Sequence, residues 1–190
     1  MALTNTSVLA DRMLRYRGHG ITNDASKMQP RPLDEIWNYQ QINLGFNYRM
    51  TDIQAALGVS QMTRLYEIVK KRHGIAKRYD DALAEFPLQT QWQHPNSYSS
   101  YHLYSIRLKL GEDEQSQRQV YDALHAAGIL VNLHYMPIYR QPYYEVMGFK
   151  EGYCPEAELY HKEALSIPMY PTLTESDQSK VISSLHDVLG

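Results

Sequence analysis

The chain has 190 residues, of which 43% are hydrophobic, so it can bury one good core, or one small domain and part of another. Its formal net charge is −2, with 19 basic against 21 acidic residues, which argues against a nucleic-acid partner. No apolar run approaches the roughly 20 residues that cross a bilayer, and the start does not resemble a signal peptide, so we expect a cytoplasmic protein without a membrane partner.

The first 43 residues predict a strand, a helix and a long loop. MALTN is a short apolar start typical of a strand, and SVLADRMLRYRG places its apolar residues at helical spacing before two glycines end the pattern. Residues 22–43 show no clear period and contain two prolines, which predicts a loop. Loops of this length in compact domains are often functional.

A single long helix is predicted from Asp52 to Phe86. Thr51 and Gln54 match a capping box at its start, and the apolar residues keep a spacing of three, four or a sum of these until Pro87. About 35 helical residues would be roughly 50 Å long, more than one small domain can cover. We therefore expect this helix to bend at Gly74 and to link two domains.

The remaining residues predict strands and helices in alternation. YHLYSIRLKL alternates as a half-buried strand does, EQSQRQVYDALHAAG has one apolar helical face closed by Gly128, and ILVNLHY returns as a strand. This order predicts a βαβ-like unit. Three elements follow: a short helix opened by Pro155, an extended segment SIPMYPT and a last helix from Thr174 to Leu189.

Two polar residues, Asn47 and Arg49, stand just ahead of the predicted helix start. The free amides of a first helical turn and the helix macrodipole favour an anion at this place. The loop is therefore either part of a phosphate site or an ordinary surface loop.

A second candidate cluster is the stretch VNLHYMPIYRQPYY, Val131 to Tyr144, at the end of a predicted strand. A turn rich in hydrogen-bonding rings and stiffened by prolines suits a nucleotide or sugar ligand, and a packed aromatic turn is the equal alternative. The chain contains none of the common dinucleotide, Walker, C-x-x-C or H-E-x-x-H motifs, and its eight histidines are scattered, so no metal site is predicted.

Five blocks of the sequence together resemble one family. They are MLRYRGHGI, LGFNYRMTDIQAALGVSQ, YHLYSIRL, VNLHYMPIY and SIPMYPTLT. In this order they resemble the carboxyl-terminal half of the DegT/DnrJ/EryC1/StrS aminotransferases, which are pyridoxal-phosphate enzymes of nucleotide-sugar metabolism. Within the family, the sequence is most similar to the pseudaminic acid branch, which acts on a UDP-linked 4-keto-6-deoxy-N-acetyl-altrosamine.

The resemblance implies an α/β fold, namely the carboxyl-terminal portion of a type I aminotransferase. Residues 1–50 would be the trailing edge of the large cofactor domain, 51–86 the linking helix, and 87–190 the small domain. Such a fragment would leave apolar surface uncovered, so we expect a homo-oligomer or pairing with a missing amino-terminal half.

The resemblance also implies roles for individual residues. Asn47 is similar to the family asparagine that reaches the cofactor phosphate of the neighbouring subunit, and Arg49 to the arginine that faces the substrate. The sugar-nucleotide pocket would be lined by Asn132, His134, Tyr135, Met136 and Pro137. Two incomplete sites would become complete on dimerisation, with a UDP-linked keto sugar and glutamate as the substrates.

One departure from the family concerns the lysine that forms the Schiff base with the cofactor. In the family it lies upstream of the strand that MALTN resembles. No residue of this chain is therefore expected to be catalytic, because none of its eight lysines stands in the matching motif: Lys27, Lys70, Lys71, Lys77, Lys109, Lys150, Lys162 and Lys180. We expect the chain alone to be inactive. A non-catalytic nucleotide-sugar-binding module, and a dehydratase with histidine in place of the lysine, are the alternatives.

Overall fold

The computed structural model describes residues 2–30, 39–109 and 116–190. The chain divides into two compact units, Met1–Thr63 (unit 1) and Arg64–Gly190 (unit 2). Part of the predicted loop, residues 31–38, lies outside the described residues, as do the first residues of EQSQRQVYDALHAAG. Within the described ranges, no helix combines the length and apolar character that a membrane span requires.

Unit 1 contains two helices and one small pair of strands. Helix α1 covers Ser7–Tyr16 as predicted, and β1 (Ile21–Thr22) pairs antiparallel with β2 (Gln40–Gln41). The strand predicted for MALTN is wrong over residues 2–5, because β1 and β2 pair only with each other and offer it no partner. The predicted loop 22–43 contains β2 and a 3₁₀ turn at Ala25–Lys27.

The prediction of a single long helix is wrong. Helix α2 covers Asp52–Met62, and a separate helix α3 covers Leu65–Ala82. The break falls at Thr63–Arg64, where Arg64 leaves the helical region with φ −109° and ψ 6°. Gly74, the expected bend, lies inside α3. The apolar spacing did not reveal this break, because the two-residue interruption leaves the helical period intact on each side. The division into 1–50, 51–86 and 87–190 remains a prediction.

Unit 2 is built on a three-stranded antiparallel sheet in the order β3, β4, β5. These strands cover Leu88–Gln89, Tyr104–Leu108 and Ala164–Ile167. The predicted βαβ-like unit is wrong because its second strand does not form. ILVNLHY contributes only a single bridge, in which Asn132 and Ser166 exchange two backbone hydrogen bonds of 3.1 and 2.7 Å. The amide of Leu133 donates to the Asn132 side chain at 2.8 Å.

Helices surround this sheet and close the core of unit 2. Besides α3, they are α4 (Gln117–Ala126), α5 (Pro142–Glu145), α6 (Pro155–Glu163) and α7 (Glu175–Leu189). Gly128 adopts φ 76° just beyond α4, as its predicted capping role requires. The core includes Tyr79 of α3, Ile106 of β4 and Leu185 of α7. The α/β class is confirmed, and every buried apolar residue among those described lies in unit 2.

Candidate functional site

The segment that carries Asn47 and Arg49 is held by backbone hydrogen bonds to the turn after α1. The Phe46 amide donates to the Tyr16 carbonyl at 2.7 Å, and the Tyr48 amide donates to the Arg17 carbonyl at 2.9 Å. In an extended segment alternate side chains point to opposite faces. The Phe46 and Tyr48 rings stack at 5.0 Å, so Asn47 and Arg49 share the other face, and both are exposed.

Glycines let the turn after α1 approach the segment ahead of Asn47 closely. Gly20 has φ +72°, and a Cβ atom there would overlap the carbonyl of Asn43. A Cβ atom on Gly45 would overlap the amide of Gly20. His19, between the glycines of YRGHG, itself has φ +63°, a conformation uncommon outside glycine. The blocks MLRYRGHGI and LGFNYRMTDIQAALGVSQ therefore lie against each other, and His19 and Arg49 line the same groove.

This groove lies wholly within unit 1 and has a volume of about 710 Å³. Its charged lining residues are Asp11, Arg15, Lys27 and Arg49. Lys27 pairs with Asp24 at 3.3 Å, and the Arg15 guanidinium donates to the Asn43 side chain at 3.0 Å. Arg49 has neither an ion pair nor a hydrogen bond within residues 2–30, 39–109 and 116–190. Among the described lining residues three cations accompany one carboxylate, and Lys27 is paired with Asp24 and also with Asp11 at 3.9 Å. Arg15 and Arg49 therefore provide most of the attraction for an anionic ligand.

The start of α2 is capped by its own side chains. The Thr51 hydroxyl accepts from the Gln54 amide at 3.3 Å, and the Gln54 side chain accepts from the Thr51 amide at 3.1 Å, which confirms the predicted capping box. The Gln54 amide is thus already paired. An anion at this helix end would be bound mainly by the side chains of Asn47 and Arg49, with the macrodipole adding a smaller attraction.

The second cluster, Asn132 to Pro137, belongs to unit 2 and begins at the edge of β5. His134 is half-buried, and its Nδ1 lies 2.8 Å from the Ser166 hydroxyl. Asn132, Tyr135 and Met136 are exposed and Pro137 is buried. The sequence therefore identified a segment that presents several polar and aromatic groups to solvent.

Beside Met136 and Pro137 lies a cavity of about 220 Å³ with a dense set of charges. Arg140 is paired with Glu145 at 3.4 Å and with Glu151 at 3.2 Å. The Tyr139 hydroxyl donates to Glu158 at 2.6 Å, and this hydrogen bond is the main cause that lowers the Glu158 pKa. Burial in turn raises the pKa of Tyr139. The ion pairs of Arg140 and the Tyr139–Glu158 hydrogen bond hold together the segment around this cavity.

Sequence reasoning missed residues in both places. Arg15, Lys27 and Tyr39 line the groove, and Ser105 and Ser166 support His134. The basic residues of the YRGHG region could have indicated the groove. They lie in the sequence just before the loop that leads to Asn47. The two serines gave no signal, because they lie 61 residues apart and meet only through strand pairing.

The sequence and the fold agree on one family. The chain belongs to the DegT/DnrJ/EryC1/StrS aminotransferase family, whose model matches residues 1–186. It is 31% identical over 192 residues to the Bacillus subtilis spore coat polysaccharide biosynthesis protein SpsC, and the match covers 100% of this chain and 49% of SpsC.

Two solved structures have a similar fold. Helicobacter pylori PseC, an aminotransferase involved in the biosynthesis of pseudoaminic acid, matches with a TM-score of 0.82 and 26% identity over 98% of this chain and 47% of PseC. Spr1654 of Streptococcus pneumoniae, described as a sugar aminotransferase, matches with a TM-score of 0.83 and 24% identity over 97% of this chain and 44% of Spr1654, which shows the fold alone.

Family membership gives the cofactor class, and the relatives show the extent of the match. The aminotransferases of this family use pyridoxal phosphate, and Spr1654 has been solved in PLP and PMP forms. The mixed α/β fold matches aminotransferase structures, which confirms the expected fold class. The chain spans about half the length of the relatives it matches. The roles of Asn47, Arg49 and the 132–137 cluster remain predictions.

Proposed function

We propose that this chain is the carboxyl-terminal part of a pyridoxal-phosphate-dependent aminotransferase that transfers an amino group, commonly from glutamate, to a UDP-linked 4-keto-6-deoxy sugar. Family membership supports the reaction class. PseC, with its role in pseudoaminic acid biosynthesis, is among the structures that support the assignment to that branch. The observation that carries the proposal is the groove lined by Arg15, Lys27 and Arg49, because a sugar nucleotide has a diphosphate that such cations can bind.

The residues ahead of α2 fit the phosphate of the cofactor. The exposed Asn47 carboxamide is a hydrogen-bond donor beside the positive end of a helix. Asn47 would hold the cofactor phosphate of a neighbouring subunit, and Arg49 would bind the diphosphate of the substrate. When bound, pyridoxal phosphate supplies the electron sink for amino transfer. The side chains of His134, Tyr135 and their neighbours would bind the sugar nucleotide.

The reaction also needs a lysine amine, which carries the cofactor and moves a proton during the transfer. No lysine of this chain is assigned that role. We therefore propose that the chain does not catalyse the transfer alone, and that the complete site forms with a polypeptide that supplies the lysine.

Titration calorimetry with UDP and UDP-N-acetylglucosamine tests the groove. Loss of a charge-assisted contact in Arg49→Ala is expected to weaken binding about tenfold, and added salt should weaken binding to the unmodified chain. Arg12→Ala removes the same charge from an exposed position of α1 outside the groove, so its affinity should stay within about twofold. Equal affinities for the two variants would contradict the role of Arg49.

A turnover assay separates the enzyme from its main alternative. The chain is incubated with pyridoxal phosphate, glutamate and a UDP-linked keto sugar, first alone and then with a family polypeptide that carries the lysine segment. Formation of 2-oxoglutarate only in the mixture supports the proposal, and turnover by the chain alone refutes it. A nucleotide-sugar-binding module is the second candidate, favoured by a groove contained within unit 1. That alternative predicts nucleotide binding with no turnover in either case.

A further inference from the structure

Two buried serines and a histidine form a hydrogen-bonded chain in unit 2. Ser105 of β4 and Ser166 of β5 are direct partners across the strands, and their hydroxyl oxygens are 3.0 Å apart. Ser105 is 9% exposed and Ser166 is 7% exposed. The Ser166 hydroxyl also lies 2.8 Å from His134 Nδ1. This series of hydrogen bonds thus runs from the interior of the sheet to the half-buried imidazole of His134.

The direction of these hydrogen bonds follows from counting hydrogens. Each serine hydroxyl has one hydrogen to donate, and a neutral imidazole has one N–H and one acceptor nitrogen. Within the described ranges, the Ser105 hydroxyl has Ser166 as its only partner. If Ser166 donated to Ser105, the Ser105 hydrogen would be buried without an acceptor, which is unfavourable. Ser105 therefore donates to Ser166, and Ser166 donates to His134 Nδ1.

We propose that Ser105 and Ser166 are positioning residues that fix His134 as the tautomer with its hydrogen on Nε2. Because Nδ1 accepts from Ser166, the imidazole hydrogen must be on the other nitrogen. Nε2 has no hydrogen-bond partner in the part of the chain that the structure describes. It is therefore available as a donor to an acceptor oxygen, such as a phosphate or a sugar carbonyl oxygen.

The backbone supports the same geometry. Asn132 exchanges two hydrogen bonds with Ser166, so the segment that carries His134 is tied to the residue that holds the imidazole. His134 follows Asn132 by two residues, and the Tyr135 ring packs edge-on against it at 4.7 Å. The role of Nε2 in substrate binding rests on the proposed function above. The tautomer does not, because it depends only on groups inside unit 2.

Long-range ¹⁵N–¹H NMR of the full chain at pH 8 tests the tautomer directly. His73 and His125 are internal references, since their Nε2 atoms lie 2.8 and 3.0 Å from backbone carbonyl oxygens and must carry the hydrogen. We expect His134 to show the same pattern, with a protonated Nε2 and an Nδ1 that accepts. A hydrogen on Nδ1 of His134 would overturn the proposal.

Substitutions test whether the serines hold the tautomer. In Ser166→Ala the Nδ1 signal should lose the shift caused by hydrogen bonding, and the two nitrogen signals should move towards the averaged values of a mixed tautomer. Ser166→Thr keeps the hydroxyl and should restore the original pattern. Ser184→Ala removes another buried serine hydroxyl and should leave His134 unchanged. Unchanged His134 signals in Ser166→Ala would overturn the proposal.

Ser105→Ala provides a second route if Ser166→Ala does not fold. Without the Ser105 hydrogen, Ser166 can either donate to or accept from His134, so mixed tautomers are expected. In calorimetry, Ser166→Ala should weaken UDP-N-acetylglucosamine binding roughly two- to tenfold, and Ser166→Thr should recover it. A fixed tautomer combined with absent nucleotide binding would sustain the serine assignment and count against the proposed function alone.

Discussion

At the scale of single residues, Glu158 joins three parts of the 139–158 segment. Its carboxylate accepts from the Tyr139 hydroxyl at 2.6 Å and from the Gly152 amide at 2.8 Å, while the Tyr139 oxygen accepts from the Cys154 amide at 3.2 Å. The hydrogen bond from Tyr139 is the largest cause that lowers the Glu158 pKa below its ordinary value of 4.5. Hydrogen bonds to a charged carboxylate are stronger than those between neutral groups.

The lowered pKa predicts an acid-dependent stability. The stabilisation by Glu158 is complete above its ordinary pKa of 4.5 and is lost as the pH falls through the lower, folded value. Glu158→Gln should therefore lower the melting temperature at pH 7, and its difference from the unmodified chain should shrink as the pH falls below 4.5. Melting curves from pH 7 to 3 measure this. Glu85→Gln, at an exposed position, is the control. If the melting temperature of Glu158→Gln followed the same pH profile as that of the unmodified chain, the role of the carboxylate would be contradicted.

Gly20 and Gly74 should respond oppositely to alanine. Gly20→Ala places a side chain at φ +72° against the Asn43 carbonyl, so we expect a loss of about 1–3 kcal/mol and faster hydrogen exchange at the His19 and Tyr48 amides. Gly74 lies inside α3 with open space around it, so Gly74→Ala should gain about 0.5–1 kcal/mol. Urea denaturation of both variants checks the signs, and a neutral Gly20→Ala would refute the close approach.

Local chemistry made some of these residues predictable. The Thr51–Gln54 capping box and the left-handed Gly128 depend on neighbours within a few positions, and both are confirmed. The hydroxyl pair that supports His134 depends on the register between β4 and β5. Nothing within a short window of sequence specifies that register, since it is fixed only when the whole sheet packs.

At the scale of elements, α2 depends on its cap because it has no buried residue to hold it. Thr51→Ala should therefore destabilise its first turn by about 1 kcal/mol, which is roughly a fivefold faster exchange of the Gln54 amide. Hydrogen exchange followed by NMR measures this effect. Thr63→Ala changes the other end of the same helix and should leave the Gln54 amide unaffected. An unchanged exchange rate of the Gln54 amide in Thr51→Ala would show that the cap does not stabilise the first turn of α2.

Helices were predicted better than strand pairing for a physical reason. A helix closes its hydrogen bonds within four residues, so α1, α4, α6 and α7 follow from local spacing. A strand needs a partner from elsewhere in the chain, and ILVNLHY found one only at Asn132. The break between α2 and α3 escaped prediction because each helix keeps its own apolar period.

At the scale of the whole molecule, unit 1 has little interior of its own. No apolar side chain among residues 2–30 and 39–63 is buried, and α2 exposes 77% of Ile53 and 62% of Leu57. Water contact with so much apolar surface is unfavourable, and association would remove it. A second copy or the remaining part of the enzyme is the expected partner under the proposed function.

We expect the chain to associate at micromolar concentration. Light scattering after gel filtration should give a mass above the 22.1 kDa of one chain. Replacing Ile53 and Leu57 by Gln should shift the mass towards a monomer, since α2 would lose its apolar surface. Leu130→Gln changes a residue of unit 2 that is 75% exposed and should have less effect. A clean monomer for the unmodified chain would contradict this expectation.

The last helix of the chain is fastened to the first helix of unit 2. The Gln178 side chain donates to the Ile75 carbonyl at 2.8 Å in a buried position, and the Arg78 guanidinium donates to the Glu175 carbonyl and the Ser179 hydroxyl. These contacts join residues about a hundred positions apart in sequence. During synthesis on the ribosome, unit 2 therefore cannot finish folding until its final helix has left the exit tunnel, and until then α3 lacks these hydrogen-bond partners.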